Sequence, residues 1–202
     1  MKTITLITLF VGALAFITNA YASVSANLSV SSDYLWRGDS LSNGDAVLQG
    51  GLDYTTDMFY AGVWVSSLGN IAEPGTGEEV DLYAGTSLGI EGLDLGVIKY
   101  EFDSTETTEL YVGYSVAGFD LYYAQDEGES DNDFFSVAYG FDVTDSISAT
   151  LSYGEWSDEA VTNLGVTEDY VQLDLAYGNM TFSVVDTDRE DVDLAVSYSF
   201  DL

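Results

Sequence analysis

Apolar and polar residues alternate along most of the chain after its N-terminal segment. In the last stretch, Val192, Leu194, Val196, Tyr198, Phe200 and Leu202 are apolar, whereas Asp193, Ala195, Ser197, Ser199 and Asp201 are small or acidic. Successive side chains of a β-strand point to opposite faces, so such a strand has one apolar and one polar face. The pattern therefore predicts strands that separate two different environments.

The same alternation, interrupted by turn-forming residues, predicts a series of strands. They cover residues 26–37, 46–54, 59–66, 80–88, 93–102, 109–116, 119–125, 134–141, 147–156, 170–177, 180–186 and 192–202. The links that follow odd-numbered strands are predicted to be longer and acidic, and the others short. Outer-membrane barrels show this asymmetry and an even strand number. We predict an all-β fold, an antiparallel up-and-down transmembrane β-barrel of about 12 strands whose first and last strands pair.

A soluble β-sandwich also contains alternating strands, but its apolar faces meet in a core. Aromatic residues near the predicted strand ends favour the barrel, because outer-membrane barrels carry aromatic girdles at both interfaces. One girdle is expected to contain Trp36, Tyr123, Tyr153 and Trp156, and the other Tyr54, Phe59, Phe119, Phe141, Tyr177 and Phe200. A sandwich gives no reason for loop lengths to alternate.

The N-terminal segment has the features of an export signal. Lys2 precedes the mostly apolar run 4–17, and Ala20-Tyr21-Ala22 is a small-x-small cleavage site. The apolar run is short for a membrane-spanning helix. We predict a cleaved signal peptide over residues 1–22 and a barrel over residues 23–202. The barrel is expected in a Gram-negative outer membrane, where its outer surface contacts lipid.

The charge balance excludes several functions. The chain has 35 acidic residues, 4 basic residues, no histidine and no cysteine. Nucleic acid is excluded as a partner, since no basic stripe is available to neutralise phosphates. Disulfides and thiolate metal sites are excluded as well. Because catalytic barrels mostly use histidine as a general base, we predict that the protein is not an enzyme and needs no cofactor.

Two loops carry clusters of carboxylates, which are the ligands that Ca²⁺ and Mg²⁺ prefer. They span residues 126–133 and 186–191. The candidate ligands in the first cluster are Asp126, Glu129, Asp131 and Asp133, but neither cluster has the full EF-hand spacing. A solvated acidic loop is the favoured interpretation, and no dedicated metal site is predicted.

A further set of charged residues falls on the polar faces of the predicted strands and is expected to line the lumen. The set comprises Asp33, Arg37, Asp53, Asp81, Glu109, Asp120, Asp174 and Asp193. Several carboxylates around a narrow lumen favour cations over anions. Arg37 is expected to pair with these acids, and a structural ion pair is favoured over a role in shaping the pore. Adaptation to a saline habitat explains the acidic excess equally well.

Five motifs resemble the TorF family of proteobacterial porin-like proteins. They are Ser32-Asp33-Tyr34-Leu35-Trp36-Arg37-Gly38, Gln49-Gly50-Gly51-Leu52-Asp53-Tyr54, Phe59-Tyr60-Ala61-Gly62-Val63-Trp64, Glu79-Val80-Asp81-Leu82-Tyr83-Ala84-Gly85 and Glu109-Leu110-Tyr111-Val112-Gly113-Tyr114-Ser115. The resemblance is dense up to about residue 125 and mainly architectural beyond it. It implies a Gram-negative outer-membrane barrel and carries over no catalytic or binding residues.

The function that these observations favour is a porin-like channel for passive diffusion of small solutes, with a preference for cations. Two alternatives stay open at this point. One is a non-conducting outer-membrane barrel that binds through its loops or has a structural role. The other is a soluble secreted β-sandwich that acts as a binding module. The sequence leaves open whether the lumen is plugged and whether the protein forms oligomers.

Overall fold

The structure, a computed structural model, describes residues 22–68, 77–103, 105–128, 132–189, 192–200 and 202. Residues 1–21 of the predicted signal peptide therefore lie outside it. The elements are β1 Ser23–Ser31, β2 Leu35–Trp36, β3 Asp39–Ser40, β4 Val47–Thr55, β5 Phe59–Ser67, β6 Glu78–Thr86, β7 Leu93–Phe102, β8 Glu106–Val116, β9 Phe119–Asp126, β10 Asp133–Thr144, β11 Ile147–Trp156, α1 Asp158–Leu164, β12 Asp169–Tyr177, β13 Met180–Thr187 and β14 Val192–Ser199. In the described part of the chain, no helix is long and apolar enough to cross a membrane.

Twelve of these strands form a closed antiparallel barrel in the order β1-β14-β13-β12-β11-β10-β9-β8-β7-β6-β5-β4. The first and last strands pair with Ser29 opposite Ser199, and the Phe200 N–H donates to the Leu28 carbonyl at 2.9 Å. The predicted barrel is therefore confirmed, because every strand pairs on both sides. The soluble sandwich is excluded, since there are no two stacked sheets in the described residues.

The two faces of the barrel wall differ as the alternation predicts. Large apolar side chains point outward and are exposed, among them Leu52, Leu82, Leu151, Leu173 and Leu194. Their neighbours along each strand point inward and are mostly polar, small or aromatic, such as Gln49, Asp81 and Ser152, which are buried. The apolar surface is thus on the outside, and the buried carboxylates are within the wall.

The barrel has two unlike ends. The end that carries residues 32–46 and 157–168 is called the loop end, and the end that carries both termini of the barrel chain is called the turn end. The alternation of loop lengths is weaker than predicted, because the link between Phe102 and Glu106 at the loop end is short. The ladder between β7 and β8 extends as far as the Glu101–Glu106 pair, so residues that were predicted to form a loop belong to β8 instead.

The predicted first strand, residues 26–37, is wrong in its second half. β1 ends at Ser31, and the chain then leaves the wall to form the small β2–β3 hairpin. Arg37 and Gly38 form its turn, with φ of 48° and 92°. A type I′ hairpin turn requires positive φ at both of its central residues, and it reverses the chain with only two residues between the strands. Asp33 and Arg37 therefore do not lie on a barrel strand.

Inward-facing glycines and tyrosines form pairs across neighbouring strands. Gly62 lies opposite Tyr83, Gly85 opposite Tyr60, Gly96 opposite Tyr111 and Gly154 opposite Tyr170. In each pair the tyrosine ring occupies the space that a glycine Cβ would fill. These glycines therefore leave room for large rings against the inner wall.

Candidate functional site

The most distinctive feature of the molecule is the segment that connects β1 to β4, residues 32–46, which we call the inner segment. Instead of extending from the loop end, much of it is buried against the inside of the barrel. Asp33, Tyr34, Leu35, Arg37 and Ser42 all have less than a tenth of their surface exposed. The segment therefore occupies the lumen at the loop end.

Asp33 organises the conformation of the inner segment. Its Oδ1 accepts hydrogen bonds from the hydroxyls of Ser40 and Ser42, at 2.6 and 2.7 Å, and from the Gly44 N–H at 3.3 Å. The Ser31 hydroxyl donates to its carbonyl at 2.6 Å. Asp33 thus holds the two arms of the hairpin together, and its carboxylate is committed to this network instead of being free to face a water-filled channel.

Arg37 forms the main attachment of the inner segment to the wall. Its two terminal nitrogens donate to the two carboxylate oxygens of Glu109 on β8, both at 2.8 Å, in a bidentate pair. The side chains are only 2% and 6% exposed. Burial alone would lower the pKa of the Arg37 guanidinium, but the Glu109 carboxylate outweighs this effect and raises it above its usual value. Arg37 therefore stays protonated in its buried position.

Aromatic rings surround the Arg37 guanidinium. Its central carbon lies 4.2 Å from the ring centroid of Phe134, 4.5 Å from that of Trp36 and 4.9 Å from that of Trp156. Cation–π attraction is stronger where water is excluded. These rings belong to a buried cluster that fills the barrel near the inner segment and contains Leu35, Phe134, Trp156, Ala160, Tyr170, Val185 and Ala195.

This cluster corrects part of the predicted aromatic girdles. Trp36 and Trp156 were expected at the outer surface, but both pack inside, with ring centroids 5.6 Å apart. Arg37 attracts them inward because it supplies a buried cation for their ring faces. Tyr123 does point outward at the loop end. The six aromatic residues expected at the turn end, Tyr54, Phe59, Phe119, Phe141, Tyr177 and Phe200, are all exposed on the outer surface.

The tip of the inner segment is tied to two loops at the loop end. Asp39 accepts a hydrogen bond from the Thr167 N–H at 3.0 Å and pairs with Arg189 at 2.9 Å. Arg189 also donates to the Gly165 carbonyl, just after α1, at 2.5 Å. Burial raises the pKa of the Asp39 carboxyl, although Thr167 and Arg189 act in the opposite direction. The loops thus close over the inner segment.

The other predicted lumen residues point inward from the wall but occupy two levels. Asp81 and Glu109 are buried at the loop end, and Asp193 is partly buried at the same end. Asp53, Asp120 and Asp174 lie nearer the turn end. Asp53 accepts hydrogen bonds from Tyr83 and Asn27, Asp120 from Ser115 at 2.5 Å, and Asp174 from Ser183 at 2.6 Å. Of these three, Asp120 is exposed and Asp53 is half-buried, whereas Asp174 is only 7% exposed.

Two of the four weak metal-ligand candidates, Asp126 and Asp133, lie in the described residues, and neither belongs to a metal-binding cluster there. Asp126 accepts a hydrogen bond from the Gly128 N–H at 3.0 Å, as in an ordinary turn. Asp133 begins β10, and Glu129 and Asp131 lie outside the described residues. No group of three or more acidic side chains in the described ranges is arranged to hold a metal ion.

Comparison with known proteins places the chain without assigning a function. A family model described as "Bacterial protein of unknown function (Gcw_chp)" matches residues 18–155. The chain belongs to this family. The match extends from before β1 into β11 and so includes both the inner segment and its partner Glu109. No curated protein matches the chain. The resemblance to TorF porins stays a prediction.

Several residues of the site are not identified by the alternation alone. Glu79, Gln49 and Tyr100 point into the loop end and are fully or almost fully buried. Glu79 lies two residues before Asp81 on the same strand face, so extending that predicted strand by one residue would have included it. Gln49 and Tyr100 sit at inward positions of predicted strands, but nothing in a strand pattern separates buried positions from hydrated ones.

Proposed function

We propose that this protein is an exported outer-membrane barrel, a conduit for small solutes that prefers cations and is held closed by its own inner segment. The observation that carries the proposal is the closed twelve-stranded wall with apolar residues outside, acidic residues inside and a separate segment in the lumen. A barrel of this size falls between small barrels filled by side chains and large ones with open channels. An internal plug is consistent with that position.

The outward residues support lipid as the surrounding medium. Large exposed apolar side chains occur on every barrel strand, for example Val24, Leu110 and Leu194. A soluble protein rarely exposes a continuous apolar surface of this kind. In hydrocarbon every backbone polar group must find a partner, and a closed barrel satisfies this requirement. The lack of histidine supports the further proposal that the protein is not an enzyme.

The carboxylates near the turn end support a preference for cations. Asp53, Asp94, Asp120 and Asp174 point inward from four different strands. A carboxylate 10 Å away stabilises a monovalent cation by only about 0.4 kcal/mol in water, but several acting together have a larger effect, especially at a lower effective dielectric constant. The preference should weaken as salt rises, because the screening length is about 8 Å at physiological ionic strength.

Planar-bilayer recordings test the proposal. The folded wild-type protein is expected to conduct rarely, because the inner segment fills the loop end. A variant in which residues 34–44 are replaced by a flexible Gly-Ser linker should show steady conductance. Its reversal potential in a KCl gradient should indicate cation preference, and Asp120→Asn with Asp174→Asn should reduce that preference. An anion-selective open variant would contradict the lumen assignment.

A second candidate function is a non-conducting barrel with a structural or loop-mediated binding role. It is favoured by the buried Arg37–Glu109 ion pair and the aromatic rings around it, because these contacts hold the inner segment in the lumen. Absence of conductance in both the wild type and the linker variant would support it, provided that both proteins still show the heat-dependent gel mobility of a folded barrel. That result would end the conduit proposal and leave the barrel intact.

A further inference from the structure

Two carboxylates are buried next to the inner segment without adequate partners. Glu79 and Asp81 project from the same face of β6, and they are 0% and 2% exposed. The Tyr34 phenol lies near the Glu79 carboxylate, but neither oxygen of Glu79 has a hydrogen-bond partner within 3.5 Å, and Oδ1 of Asp81 also lacks one. A buried ionised carboxylate is strongly destabilising unless it is paired, protonated or bound to a metal. These two groups therefore need compensation.

In the described part of the chain, no basic side chain is available to compensate Glu79 and Asp81. The chain has four Lys and Arg residues, of which Lys2 precedes the described residues. Arg37 is committed to the bidentate pair with Glu109, Lys99 to Glu101 and Glu106, and Arg189 to Asp39. Because Arg37 and Glu109 neutralise each other, Glu79 and Asp81 together leave up to two uncompensated negative charges.

An independent observation points to a ligand at the same place. Gln49 on β4 is 1% exposed, and its amide oxygen has no hydrogen-bond partner. Its amide nitrogen donates to the Ser66 hydroxyl on β5 at 3.3 Å, and Ser66 lies directly opposite Glu79 in the ladder. Gln49, Ser66 and Glu79 thus form one row of inward oxygen atoms across three neighbouring strands.

The inner segment covers this row. The Tyr34 ring packs edge-on against Trp64, with centroids 5.6 Å apart, and Trp64 lies opposite Asp81. Tyr34 is 2% exposed and lies close to both Glu79 and Asp81. Its hydroxyl oxygen is therefore placed to join the two carboxylates as a further ligand.

We infer that Glu79, Asp81 and Gln49 bind a divalent cation, Ca²⁺, at the junction of wall and inner segment. Ca²⁺ takes six to eight oxygen ligands, accepts carboxylates and amide carbonyls together, and tolerates irregular geometry, whereas Mg²⁺ demands a near-ideal octahedron. Two carboxylates match its charge. The ion stabilises the closed position of Tyr34 and so fastens the inner segment. This inference does not depend on conductance and stands whether or not the barrel conducts.

Thermal unfolding of the folded, detergent-solubilised full chain tests the site. Ca²⁺ at 10 mM should raise the unfolding midpoint of chelator-treated wild type by about 3–10 °C relative to NaCl of equal ionic strength, as expected for a site of 0.1–1 mM affinity. The variant Glu79→Gln with Asp81→Asn should lose this shift. Asp145→Asn, a change of the same kind at an exposed residue of the turn between β10 and β11, should retain it. No shift in the wild type, or a full shift in the double variant, would show that protons neutralise the pair and would overturn the inference.

A second measurement covers the case in which the double variant does not fold. Tb³⁺ replaces Ca²⁺ and emits when a nearby tryptophan is excited. Trp64 lies opposite Asp81, so wild-type protein should show sensitised Tb³⁺ emission that Ca²⁺ displaces. Trp64→Phe keeps all three proposed ligands and should lose most of this emission. Emission that is absent in the wild type, or unchanged in Trp64→Phe, would overturn the site.

Discussion

Arg37 combines an unfavourable backbone conformation with a demanding environment. Its φ of 48° lies in the left-handed region, which costs a non-glycine residue on the order of 1 kcal/mol. Its guanidinium is almost completely buried. Strained residues persist only where the surroundings hold them in place, as Glu109 and the three nearest rings do here. At the scale of one residue, Arg37 is the side chain that fastens the inner segment to the inside of the barrel wall.

Removing one member of this pair should be more harmful than removing both. Arg37→Met leaves Glu109 buried without a counter-ion, and a loss of about 3–5 kcal/mol of unfolding free energy is expected. Glu109→Gln should also destabilise, whereas the double variant should lose clearly less than the sum of the single changes. Urea titration of the folded protein in detergent measures each value. Strictly additive losses would contradict an energetic coupling between the two side chains.

Tyrosine–glycine contacts connect the side-chain packing of neighbouring strands on the inner wall. Tyr111 on β8 covers Gly96 on β7, and its hydroxyl contacts that of Tyr60 on β5, which in turn donates to Asp94 at 2.7 Å. The contacts thus join strands that are not adjacent in the ladder. At the scale of elements, the inner wall at β5–β8 is held by side chains as well as by backbone pairing.

Gly96→Ala should therefore destabilise the barrel. Its Cβ would overlap the Tyr111 ring, and overpacking of this kind costs about 1–3 kcal/mol. Gly113→Ala is the matched control, because it is also an inward strand glycine but the nearest atom to its Cβ would be 3.5 Å away. The difference in unfolding free energy between the two variants reports the overlap with the Tyr111 ring together with that with the Ala84 carbonyl oxygen, 2.7 Å from the same Cβ. Equal losses would indicate a general cost of replacing strand glycines.

At the scale of the whole molecule, the barrel wall has an apolar outer surface and a mostly polar inner surface. Leu173 lies near the middle of β12, opposite Leu151 and Val184 on the neighbouring strands, and all three are exposed. If lipid covers this surface, a charge placed there must be transferred into hydrocarbon. The surface of a soluble protein would accept the same charge at little cost.

Leu173→Arg is expected to lower the stability of the protein folded in lipid vesicles by about 2–4 kcal/mol. Leu164→Arg, at an exposed position of α1 beyond the barrel wall, should have almost no effect. Folding titrations of both variants in vesicles make the comparison. A tolerated charge at Leu173, together with release of the protein into buffer without detergent, would contradict a membrane location.

The sequence by itself determined the closed barrel, the strand pattern outside residues 32–37 and the outward face of most barrel strands. These properties depend on a local, two-residue alternation that each strand repeats, and on turns that lie between neighbouring strands. Only the tertiary structure decided the path of residues 32–46. Its first half continues the alternation of β1, yet the contacts that bend it inward come from residues such as Glu109, Phe134 and Arg189, far along the chain. The tertiary structure also decided the environment of Gln49 and Glu79. The alternation predicts that their side chains point inward, but they are buried because the inner segment covers them.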